Sequence, residues 1–99
     1  MTDDVLASVR AGAENLDRLR DDVPRALARM RAAGCAEALV RQYQPLIERI
    51  VALFENLEGA INRGDAEATV AIGERMQIEQ TKLVPLVQSI WKSAKPPQA

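Results

Sequence analysis

Apolar residues return along this chain in alternating steps of four and three. Over the first third they fall at Val5, Val9, Gly12, Leu16, Leu19, Val23, Ala26, Met30 and Ala33, which is the period of an amphipathic helix. Thr2, Asp3 and Asp4 offer capping and dipole-matched side chains at its start, and Gly34 stands where a left-handed cap ends such a helix. A first helix is therefore expected over about residues 3–33. The second run reads Leu39, Tyr43, Leu46, Ile50, Leu53, Leu57 and Ala60, flanked at intervals of seven by Val40, Ile47, Phe54 and Ile61. Its wide apolar face suits a helix that touches two neighbours. Asn62-Arg63-Gly64-Asp65 then supplies a glycine stop followed by an aspartate N-cap. A third helix, over about residues 66–92, carries Ile72, Met76, Leu83, Leu86, Val87, Ile90 and Trp91 on one face, and Lys95-Pro96-Pro97 cannot continue it.

Three helices of similar length joined by short turns lie antiparallel to their sequence neighbours. The expected fold is an all-α, up-down-up three-helix bundle of ~40 Å, at ~1.5 Å rise per residue. Residues 1–93 form one bundle domain in this reading, and 94–99 a C-terminal tail.

Pro24, Pro45 and Pro85 interrupt the chemistry of these helices without interrupting their pattern. An internal proline removes one hydrogen bond and clashes with the carbonyl four residues back. The apolar phase nevertheless runs through all three without a shift, so kinked but continuous helices are expected. Counting residues from the turns puts the three prolines at one level, a belt with freed carbonyls at Arg20, Arg41 and Thr81. For Pro24, Asp21-Asp22 could alternatively cap a new helix.

Composition narrows the function more by exclusion than by signal. With 99 residues, 47% hydrophobic and 27% charged, the chain has the make-up of an ordinary globular domain. Its longest apolar runs, such as Ile50–Phe54, fall far short of the ~18 residues a membrane span needs. The acidic start has no signal-peptide character, and the single Cys35 suits a reducing compartment, so a cytoplasmic protein is expected. The excess of arginine over lysine, with much alanine, hints at a GC-rich bacterial source. A net charge of −1 and three aromatic residues leave nucleic-acid binding without its basic field or stacking platforms. The absence of histidine excludes His-based acid–base catalysis, catalytic dyads and triads, and carboxylate–histidine metal sites. No enzyme activity, cofactor or metal is expected.

A few residues break the pattern. Glu79 falls on the core side of the third helix, and level counting brings Arg20 near it, so the two are expected to form a semi-buried pair that fixes register; a polar pocket for a small anion is the alternative. Gly12 and Gly73 also face inward at the level of Phe54, where they are expected to make room for its ring or, alternatively, leave a slot for a ligand. Cys35 reads as a small semi-buried residue after the first turn, or else as a functional thiol. Trp91 is placed at that same end, against Met30, as a bundle cap or as a binding anchor. Ile78 and Val70, with Ala71 and Val84, point away from the core and form a candidate interface strip together with Trp91.

These features suggest a non-enzymatic protein–protein interaction module acting through its helix faces, as a homodimer or with a protein partner: an adaptor, an export-chaperone-like factor or a regulatory subunit. In size and helical character alone the chain loosely resembles bacterial flagellar and type III export chaperones. The alternative is a small-ligand or lipid binder that opens between helices at the proline level.

Overall fold

The computed structural model describes residues 2–95, without the side chains of residues 2, 3 and 5. The expected tail residues 96–99, the capping side chains of Thr2 and Asp3, and Val5 in the core stripe lie outside this description.

The chain folds as an all-α three-helix bundle. Its elements are α1 (Thr2–Ala32), α2 (Glu37–Asn62) and α3 (Ala66–Lys92), and no strand occurs among the described residues. Each helix is continuous through its proline. Pro24, Pro45 and Pro85 are all exposed, so water can solvate the carbonyls that lose their donors. Solvation of those carbonyls avoids the further penalty of a buried unpaired acceptor on top of the ~3 kcal/mol that a proline costs a helix interior.

Both turns close in the same way. Gly34 takes φ +76° and Gly64 φ +69°, the left-handed region that glycine reaches without strain. Around the first, the Cys35 N–H donates to the Met30 carbonyl and the Gly34 N–H to that of Arg31. Around the second, the Asp65 N–H donates to Ala60 and the Gly64 N–H to Ile61. These paired bonds define Schellman motifs, which carry an apolar contact across the turn. In the first turn Cys35 and Met30 provide it, both buried in one cluster. Asp65 then caps α3, its carboxylate accepting from the Ala68 N–H at 3.0 Å.

α2 lies at the centre. It packs closely against both other helices, whereas α1 and α3 approach one another only marginally. One buried cluster joins Val23, Met30, Val40, Tyr43, Ile47 and Ile90 in the half near the first turn. A second joins Val9, Leu46, Ile50, Phe54 and Leu57 in the other half. The molecule measures 58 × 20 × 18 Å, longer than the expected ~40 Å; α1 alone, with 31 residues, spans ~47 Å at ~1.5 Å per residue. At the first-turn end the core is completed by Ile90, fully buried, while Trp91 remains 44% exposed, contrary to the expected cap on Met30. Adjacent residues differ by ~100° around a helix, so only one of this pair can face inward. The end of α3 is tied to the first turn by two hydrogen bonds: the Ala36 N–H donates to the side-chain Ser93 Oγ at 2.9 Å, and the Lys95 N–H to the Ala33 carbonyl at 3.0 Å.

Candidate interaction surfaces

Among the described residues Glu79 is the buried charged one, with 2% exposure. Its partners differ from the one expected. Lys82 Nζ lies 3.3 Å from its carboxylate, Arg49 Nε 3.4 Å and Arg75 Nη2 3.5 Å. Arg20 instead pairs with Asp17 one turn back on α1, at 3.4 Å. The cause is the layout of the bundle: α1 and α3 scarcely meet, and Glu79 looks into a groove lined by α2 and α3 alone. Two of the real partners were visible in the sequence as pairs three and four residues apart on one helix. The third was visible in the level count, since Arg49 and Glu79 stand equally far on either side of Gly64. Gln80, the next residue along α3, is exposed.

The burial of Glu79 is of an unusual kind. Its cover consists of three cationic arms whose own side chains are 54%, 65% and 54% exposed, so it sits beneath charged groups rather than within apolar core. That cover opposes ionisation by withholding water. The hydrogen bond from Lys82 and the charges of Lys82 and Arg49 outweigh it, and the carboxyl is held below its ordinary range.

Grooves run along both flanks of Pro45. On the α3 side a section of about 360 Å³ is rimmed by Arg41, Arg49 and Lys82 over Leu46 and Leu86. It continues past Arg49 into a section of about 270 Å³ bordered by Leu53, Arg75 and Glu79. On the α1 side a groove of about 380 Å³ carries Leu27, Arg31 and Glu48.

The two core-facing glycines part company. A Cβ built on Gly12 would lie 2.8 Å from Phe54 Cε1, so this glycine does make room for the ring. At Gly73 a Cβ would meet nothing within 4 Å, and the expected contact with Phe54 is absent. α1 is seated hard against α2 at this level while α3 stands off, leaving a cleft of about 410 Å³ over Val9, Phe54 and Met76.

The large hydrophobic residues left exposed among those described are Val70, Ile78, Val84 and Trp91, and all four belong to α3. Val70, Val84 and Trp91 are separated by multiples of seven and so form one stripe, which drifts ~20° per heptad. Ile78 lies ~80° around the helix from Val70, on the flank beside Lys82, so the expected single strip is a stripe with a separate neighbour. Cys35 is buried in the core as part of the first turn.

Among the described residues no three acidic or cysteine side chains gather closely enough to hold a metal ion, and no helix is long and apolar enough to cross a membrane. Comparison with protein-family models, with curated proteins and with solved structures found no significant match.

Proposed function

We propose that this chain is a non-enzymatic protein–protein interaction module of the adaptor, export-chaperone-like or regulatory type, and that it associates through the outer face of α3, first with a second copy of itself. The observation that carries this reading is the uneven distribution of exposed apolar surface. α1 turns Arg10, Glu14, Arg18, Asp21, Arg25 and Arg29 to solvent, whereas the outer face of α3 shows Val70, Ile78, Val84 and Trp91. From Gln77 to Trp91 the only charged residues are Glu79 and Lys82, and these two pair with each other. A helix apolar around its whole circumference is one covered on more than one side. A stripe ending in a half-exposed tryptophan is also the composition from which interface hot spots are built, and a two-fold axis would let the same stripe cover itself.

Sedimentation of the purified chain at micromolar concentration tests the reading. A dimer mass is expected, with Val84→Glu and Ile78→Glu each shifting it to monomer while helical circular dichroism is retained. A monomer whose mass is indifferent to both substitutions overturns it.

A further inference from the structure

The groove between α2 and α3 is a surface distinct from the α3 stripe, and its charge is at odds with that of the chain. Four cations, Arg41, Arg49, Arg75 and Lys82, border its two sections, against the single carboxylate of Glu79. The chain as a whole carries a net charge of −1. Arg41 also lies 3.5 Å from Glu37 one turn back on α2, which leaves a surplus of two positive charges along one groove of a slightly acidic protein, and such segregation selects the sign of a partner.

We infer that this groove docks an acidic amphipathic helix of a protein partner. The floor is apolar, formed by Leu46, Leu53 and Leu86, so the occupant needs apolar side chains as well as carboxylates. The groove follows α2 from Arg41 to Leu53, ~18 Å at 1.5 Å per residue. Arg41 and Arg49 are eight residues apart, and Arg75 and Lys82 seven. Carboxylates two turns apart on one face of a helix match that spacing, while a lone small anion would engage one end of it. Laying an apolar helical face into a groove between helices is an established mode of recognition, and here it would add a fourth helix against α2 and α3.

Glu79 explains how the cations stay poised. Left alone, three like charges would splay apart. The buried carboxylate gathers Arg49, Arg75 and Lys82 at 3.3–3.5 Å and leaves them more than half exposed, with two positive charges in excess. Glu79 is then an internal stand-in for the partner's carboxylates and competes with them.

That competition separates docking from a merely structural ion cluster. The probe is a fluorescently labelled synthetic helix of about 18 residues, glutamates seven apart beside a leucine face, followed by anisotropy against the intact chain. It is expected to bind, to weaken about tenfold between ~0.05 and ~0.3 M salt as the Debye length shortens, and to lose about tenfold on Arg41→Glu, a residue that does not touch Glu79. Glu79→Gln is expected to tighten binding several-fold, whereas a purely structural cluster predicts lost stability and no gain in affinity. Should Glu79→Gln fail to fold, Arg41→Glu and the salt dependence still decide. No binding of the probe, equal binding of a version with lysine in place of glutamate, or preferential binding of inorganic phosphate or of anionic phospholipid vesicles overturns the proposal. The result does not depend on self-association: a monomer that binds the probe refutes the dimer and keeps the groove.

Discussion

α2 and α3 run side by side over 26 and 27 residues, yet they are different kinds of helix. α2 buries nine side chains; α3 buries two, one of them a carboxylate. Neither length nor apolar content accounts for this. α2 is enclosed between two neighbours, and its apolar residues are gathered on the arc facing them. α3 has one close neighbour, and its apolar residues are spread around the whole circumference, so those facing away remain exposed. In a three-helix bundle with a central helix, an outer helix has a face its own fold cannot cover. α1 gives that face charged residues alone among its large side chains, whereas α3 mixes Glu67, Glu74 and Arg75 with Val70, Ile78, Val84 and Trp91.

The sharpest way to break this comparison is to truncate matched residues on the two helices. Ile50 on α2 has 0% exposure, and Ile50→Ala is expected to cost about 3–5 kcal/mol, transfer and cavity terms together. Ile72 on α3 is only partly buried against the same cluster, so Ile72→Ala is expected to cost about 1 kcal/mol, because the lining is already half solvated. Ile90, fully buried at the far end of α3, is the control and is expected to behave like Ile50. Urea unfolding of the three variants checks this, and equal costs at Ile50 and Ile72 would mean that α3 is as enclosed as α2.

A smaller effect, with a change of sign, is expected from the glycine pair. Gly12→Ala forces a methyl to 2.8 Å from the Phe54 ring and is expected to destabilise by about 1–2 kcal/mol through overpacking. At Gly73 the added methyl meets open space, and Gly73→Ala is expected to stabilise by about 0.5–1 kcal/mol, the helix-propensity difference. Thermal unfolding midpoints moving in opposite directions would sharpen the picture of α1 pressed onto α2 and α3 standing away from it.

The same asymmetry separates what was legible in the sequence from what was not. Helix boundaries were legible because the signals are local: Gly34 and Gly64 end helices by backbone freedom, and Asp65 starts one by a side-chain bond. The continuity of the helices through Pro45 and Pro85 was legible because apolar phase records it. The pairing of Arg20 with Glu79, and of Gly73 with Phe54, failed for different reasons. Level counting gives height along the bundle but not distance across it: Gly73 and Phe54 lie on adjacent helices at one height, yet a side chain at Gly73 would not meet the ring. With α2 in the middle, α1 and α3 share height but pack only marginally, and Arg20 does not reach Glu79. The surplus of positive charge in the α2–α3 groove was illegible because it depends on which pair of helices stays open.

The weakest expected effect concerns pH and tests whether Glu79 belongs to α3's core or to its surface. Its carboxyl is held below the ordinary value of 4.5: loss of water beneath the cationic arms opposes this, and the Lys82 hydrogen bond with the Lys82 and Arg49 charges outweighs it. A carboxyl that ionises more readily in the folded chain than in the unfolded one contributes stability above the unfolded value, and that contribution is lost as pH falls through the folded one. Stability should therefore decline below about pH 4.5 more steeply in the native chain than in Glu79→Gln. Glu37 is shifted in the same direction, chiefly by its hydrogen bond from Arg31, so the native chain alone cannot make the assignment and the difference between the two proteins is the measurement. Because the three cations are more than half exposed, solvent screens the interaction, and the difference should shrink as salt is raised. A carboxylate enclosed by apolar core would instead be pushed above its ordinary value by loss of water, so the native chain would gain stability relative to Glu79→Gln as pH falls, with little dependence on salt, and that outcome would move Glu79 out of the groove and into the interior.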